Sequence, residues 1–74
     1  MNISVTKDYY DLRIEIDGVL HVHIDMAKYL GMSSWTDTPN CCCIEFALLG
    51  GSLKVEYTSE AKWLAVLTQL EQVL

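Results

Sequence analysis

The stretch CIEFALLGGSLKVEY, residues 43–57, constrains the fold more than any other part of the chain. Apolar residues recur at every second position, first as Ile44, Phe46 and Leu48, then as Leu53, Val55 and Tyr57. That is the period of a strand with one buried face. Between the two runs stands Gly50-Gly51, which suits a two-residue hairpin turn needing positive φ at both positions. Such a turn pairs Leu48 with Leu53, Phe46 with Val55 and Ile44 with Tyr57, and all six then share one face. An antiparallel hairpin with an apolar side follows, and that side needs a cover.

The C-terminal segment supplies the cover. Thr58 or Ser59 is placed to cap a helix running to about Val73, and Glu60 in its first turn suits the helix dipole. Trp63, Val66, Leu67, Leu70, Val73 and Leu74 form a stripe close to helical spacing, with Leu64 beside it.

A second hairpin is read in DLRIEIDGVLHVHID, residues 11–25. A two-residue turn at Asp17-Gly18 would bring His21 and His23 onto the face of Ile14 and Ile16. A three-residue loop, Ile16-Asp17-Gly18, with Gly18 left-handed, avoids this. It opposes Glu15 to Val19 and groups Leu12 and Ile14 with Leu20, Val22 and Ile24. Arg13, Glu15, His21, His23 and Asp25 then take the other face. Upstream, NISVT reads as a further strand, with Val5 opposite Tyr10 and Ile3 opposite Leu12. IDMAKYLG reads as a brief helix capped by Asp25 and ended by Gly31, and residues 32–40, MSSWTDTPN, as a loop stopped by Pro39.

The expected fold class is α+β. Two hairpins build an antiparallel sheet of four to five strands, with a short helix between them and a long C-terminal helix packed on one sheet face. Residues 1–74 form a single domain, near the lower size limit for one self-sufficient core. No apolar run reaches the roughly 20 residues that span a bilayer. The N-terminal MNISVTKDYYD lacks the basic and apolar regions of a signal peptide, so a cytoplasmic location is expected.

Net charge is −5, from ten carboxylates against Lys7, Arg13, Lys28, Lys54 and Lys62. The cations are scattered, which argues against direct nucleic-acid binding. The acidic balance favours a partner protein with a basic surface.

All three cysteines are adjacent, at 41, 42 and 43. Adjacent thiols cannot tie distant segments into a disulfide framework and do not match zinc spacing. Strand alternation sends Cys42 inward with Ile44 and Phe46, and Cys43 outward as the more accessible thiol. The expectation is reduced cysteines with a structural role. His21, His23 and Asp25 project from one face, and two histidines two apart on a strand can converge on a metal. With Cys43 from the neighbouring hairpin, His21 and His23 form the candidate metal set of an alternative, metal-binding reading. No serine sits in a nucleophile elbow and no glycine-rich phosphate loop precedes a helix, so no catalytic residues, enzyme activity or cofactor are expected.

The favoured reading is a small acidic protein–protein interaction module. Its outer sheet face and the 32–40 loop would bind the partner, with Glu15, Trp35, Glu45, Leu49 and Glu56 as the contact residues. Such a module suits an inhibitor presenting carboxylates to a basic, nucleic-acid-binding protein. In size and charge alone it is analogous to small mobile-element inhibitors such as anti-CRISPR proteins, with no motif behind the analogy. A homodimer built by sheet augmentation is compatible with either reading.

Overall fold

A computed structural model describes residues 2–74. It contains six strands and one helix: β1 (Ile3–Lys7), β2 (Asp11–Ile16), β3 (Val19–Asp25), β4 (Tyr29–Thr38), β5 (Cys41–Leu48), β6 (Gly51–Tyr57) and α1 (Glu60–Val73). The α+β class is correct, but the strands form two antiparallel sheets of three, ordered β1-β2-β3 and β4-β5-β6. The single sheet of four to five strands is thereby corrected.

The β5–β6 hairpin keeps the expected faces in a different register. Its central turn residues are Leu49 and Gly50, because Leu48 pairs with Gly51. Gly50 alone takes positive φ (92°), the pattern of a type II turn, while Gly51 joins the ladder. Phe46 therefore faces Leu53, Ile44 faces Val55 and Cys42 faces Tyr57. The pairing has slipped by two positions, and an even slip leaves every side chain on its own side.

The β2–β3 hairpin reaches the expected burial by another route. Asp17 and Gly18 both have positive φ (52° and 80°), and Ile16 pairs with Val19 across a two-residue turn of type I′ form. The face conflict is resolved further along. Glu15 pairs with Leu20 and Ile14 with Val22, which leaves His21 as the extra residue of a bulge. Leu12, Ile14, Val22 and Ile24 are consequently buried, whereas Leu20 is exposed. On β1, Val5 faces Ile14 and Ile3 faces Ile16, so the pairings with Tyr10 and Leu12 are corrected.

No helix separates the hairpins. Asp25 does cap, but it caps a tight turn: its Oδ1 accepts from Ala27 N–H at 3.0 Å and its carbonyl from Lys28 N–H at 2.9 Å. The chain then enters β4, so the 32–40 segment is largely strand. Met32 faces Phe46, Ser34 faces Ile44 and Thr36 faces Cys42.

The helix begins as expected, with Ser59 Oγ accepting from Lys62 N–H at 3.3 Å. It does not lie on one sheet but packs against β1, β5 and β6, bridging the two. Trp63, Val66 and Leu70 join Leu12, Ile14, Ile24, Ile44 and Phe46 in one core, and Leu74 stays exposed. The Trp63 indole donates to the Cys43 carbonyl at 3.0 Å, fastening the helix to β5. No described helix is long and apolar enough to cross a membrane.

Candidate functional site

The outer face of the second sheet is built in cross-strand rows. Trp35, Cys43 and Glu56 form one row, Ser33, Glu45 and Lys54 the next, and Gly31, Ala47 and Ser52 the third. Leu49 protrudes from the turn at the end of this face. Four of the five expected contact residues, Trp35, Glu45, Leu49 and Glu56, are thus carried by one sheet and its turn. Glu15 is not among them, since it lies half-buried on β2 in the other sheet.

Cys43 lies on this outer face yet is only 3% exposed, which corrects the expectation of an accessible thiol. The reason is β4: a strand there places Trp35 directly across from Cys43, with Glu56 on the other side. Trp35 is itself 36% exposed and so offers surface to solvent beside the buried thiol. Desolvation pushes the Cys43 thiol above its ordinary value, and Cys41, Glu56 and Asp37 add to the rise while Lys54 opposes it. Lys54 and Glu56 pair at 3.3 Å, and the lysine is raised by that hydrogen bond and charge.

The other two thiols differ. Cys42 is fully buried, with its sulfur near Thr36 Oγ1 (3.5 Å) and donating toward the Thr38 carbonyl (3.6 Å). Cys41 is half-buried with its sulfur 4.0 Å from Asp37 Oδ2. All three are free cysteines, and Cys42 packs as a small apolar residue.

The structure does not gather His21, His23 and Cys43. Among the described residues, no three His, Cys, Asp or Glu side chains form a group able to hold a metal. His23 Nε2 meets Asp11 Oδ1 at 2.7 Å, and Asp11 stands across the ladder from Asp25. The bulge takes His21 elsewhere, to a cavity of about 230 Å³ whose lining includes Ile16, Glu56, Tyr57 and Lys62. Beside it, the Tyr57 hydroxyl is buried without a hydrogen-bond partner, and burial raises its pKa.

A third feature went unread in the sequence. Three turns meet at one end of the molecule: Met26 N–H donates to the Tyr10 carbonyl at 2.9 Å, and Leu49 N–H to the Lys28 carbonyl at 2.8 Å. Among the described residues, the four most exposed large apolar side chains all lie there: Tyr9 (87%), Tyr10 (70%), Leu49 (69%) and Leu30 (67%). The signal available was YY directly after Lys7-Asp8, two aromatics placed where a turn had to be.

No family model, curated protein or solved structure matches this chain.

Proposed function

We propose that this protein is a small acidic interaction module that binds a basic partner protein through the outer face of β4-β5-β6. The observation that carries the reading is Trp35, paired across the ladder with the buried Cys43 while 36% of its own surface stays open. A tryptophan fixed on a sheet face presents a large rigid contact surface at little entropic cost, which is how interface hot spots are made. Around it, Asp37, Glu45 and Glu56 outnumber Lys54, so the rim is acidic. A face this size with the adjoining turn suits an ordinary interface of roughly 800 Å² per partner. Inhibition of a nucleic-acid-binding protein would follow if those carboxylates occupy its basic surface.

The partner, recovered by pull-down from the native host, should be tested by binding kinetics. Charge reversal at Glu45 or Glu56 should slow association, more so at low salt, because rim charges steer encounter. Trp35→Ala and Leu49→Asp should instead shorten the lifetime of the complex. If all four variants bind like the parent, the sheet face is solvated surface and the reading fails. The competing occupant is a second copy of the chain paired along the β4 edge. Sedimentation equilibrium across a concentration series distinguishes it, since only self-pairing responds to the chain's own concentration.

A further inference from the structure

The turn-bearing end of the molecule holds a cavity of about 380 Å³ lined by Tyr9, Tyr10, Asp25, Met26 and Ala27. We propose that this cavity receives an arginine side chain presented by a partner protein, held between the tyrosine rings and the Asp25 carboxylate. The inference does not depend on the sheet-face reading, because none of these five residues lies on that face.

The backbone around the cavity is preorganised. Asp8 Oδ1 accepts from both Tyr10 and Asp11 N–H at 2.8 Å, and those bonds hold its carboxyl below the usual carboxylate range. Met26 N–H donates to the Tyr10 carbonyl, which joins the two walls. Asp25 Oδ1 is engaged by Ala27 N–H, and its other oxygen has no partner among the described residues.

The chemistry of the lining selects a cation with an apolar stem. Tyr9 and Tyr10 meet edge to face with centroids 5.1 Å apart, a geometry that leaves ring surface turned outward. An aromatic face attracts a guanidinium, and a carboxylate alongside pairs with it. Met26, half-buried and flexible, suits the methylenes behind the charge. The surrounding charge agrees. Asp25 is the one charged residue among the five that line the cavity, within a chain of net charge −5.

A macromolecular source is favoured over a free metabolite by the neighbours of the cavity. Its tyrosines are so exposed that a free amine would be covered on one side only. An arginine carried on a protein brings adjoining residues, and Leu30 and Leu49 stand exposed at the same end to meet them.

The test is an NMR titration of the whole chain with three probes: Ac-Leu-Arg-Leu-amide, its citrulline counterpart, and arginine amide. The expected result is amide shifts confined to residues 9, 10 and 25–27, joined by 30 and 49 for the leucine-flanked peptides, with the arginine δ-methylene moved upfield by the rings. The citrulline peptide should bind about fivefold more weakly or worse, the scale of one lost cation–π contact. Arginine amide should also bind more weakly than the peptide. Asp25→Asn, which keeps an oxygen for Ala27 N–H, and Tyr10→Leu should each reduce affinity while the rest of the spectrum stays unchanged. Glu45→Lys should leave this titration untouched. Equal binding by the citrulline peptide, shifts scattered over the acidic surface, or no shifts at all would overturn the proposal. Equal binding by arginine amide would overturn the protein source.

Discussion

The two sheets finish in outer strands of opposite character. β1 is five residues long, and its free edge is occupied by a side chain from the helix. The Gln69 carboxamide donates to the Ile3 carbonyl at 2.8 Å and accepts from Val5 N–H at 3.0 Å, standing where a further strand would lie. β4 is ten residues long, contains no buried residue and carries no charge before Asp37. Among the described residues, no helix side chain does for β4 what Gln69 does for β1. Open edges are templates for pairing with another chain unless something blunts them. Of these two outer strands, β4 is the one whose edge is left open and β1 the one whose edge is filled.

The contrast has meaning only if both sheets belong to one cooperative unit. Phe46→Ala, in the second sheet, should cost about 3–5 kcal/mol, and Ile14→Ala, in the first, about 2–5 kcal/mol, because each empties a fully buried site of the shared core. Both should move a single transition in chemical denaturation followed by tryptophan fluorescence and far-UV dichroism. Two separated transitions would mean that the sheets fold independently, and the edge comparison would lose its frame.

Next in size is the blocked edge. Gln69→Ala removes two hydrogen bonds and leaves a part-buried Val5 N–H and Ile3 carbonyl without partners. The expected cost is about 1–3 kcal/mol. Hydrogen exchange at Val5 should accelerate markedly, while the amides of β5 keep their protection. Unchanged exchange at Val5 would show that the Gln69 plug is dispensable.

Much of this architecture was legible in the sequence, and the misreadings have physical causes. Strand faces were read correctly for β2, β5 and β6 and for β3 from Val22 onward, because alternation reports which side is buried whatever the register. Leu20, read as inner, is exposed because the bulge at His21 breaks the alternation. Register was harder. Gly50-Gly51 allows two turn placements one residue apart, which shift the pairing by two positions and give the same faces, so burial could not choose between them. β4 was missed since its inner positions are Met32, Ser34 and Thr36, too polar to show an apolar period. Its neighbour was misread as helix because an aspartate caps a tight turn and a helix N-terminus with the same hydrogen bond. The error over Cys43 followed directly: without β4 there was no strand carrying Trp35 beside it. The paired tyrosines escaped notice because they belong to no period at all.

The burial of Cys43 beside Trp35 makes a kinetic prediction. Native thiols should react with a maleimide in the order Cys41, Cys43, Cys42, from half-buried to fully enclosed. Trp35→Ala should raise the Cys43 rate severalfold and leave Cys42 unchanged, because Cys42 faces the core. The pH dependence has a definite sign. A thiol whose pKa is raised by folding holds its proton more tightly in the native state, so stability falls as pH climbs past the ordinary value of 9.0. Cys43→Ala should soften that alkaline loss. Identical rates for Cys43 with and without Trp35 would sink the assignment of the indole as its cover.

The smallest effect is expected at the Lys54–Glu56 pair, which separates folding from recognition on the open face. Both side chains are about half exposed or more, and exposed ion pairs add little to stability because water and salt already screen them. Lys54→Ala should therefore leave the denaturation midpoint unchanged within error at neutral pH. Lys54 is raised above its ordinary 10.5, so whatever the pair contributes is present below that value and is lost as pH rises through the folded pKa. Neutral conditions thus measure the pair at full strength, and a null result there is informative. The same substitution removes the one cation among Asp37, Glu45 and Glu56, making the face more acidic. Association with a basic partner should quicken at low salt and converge on the parent rate as salt is raised. An altered midpoint would mean that the pair holds β6 in place; unchanged association at low salt would mean that the partner does not approach this face.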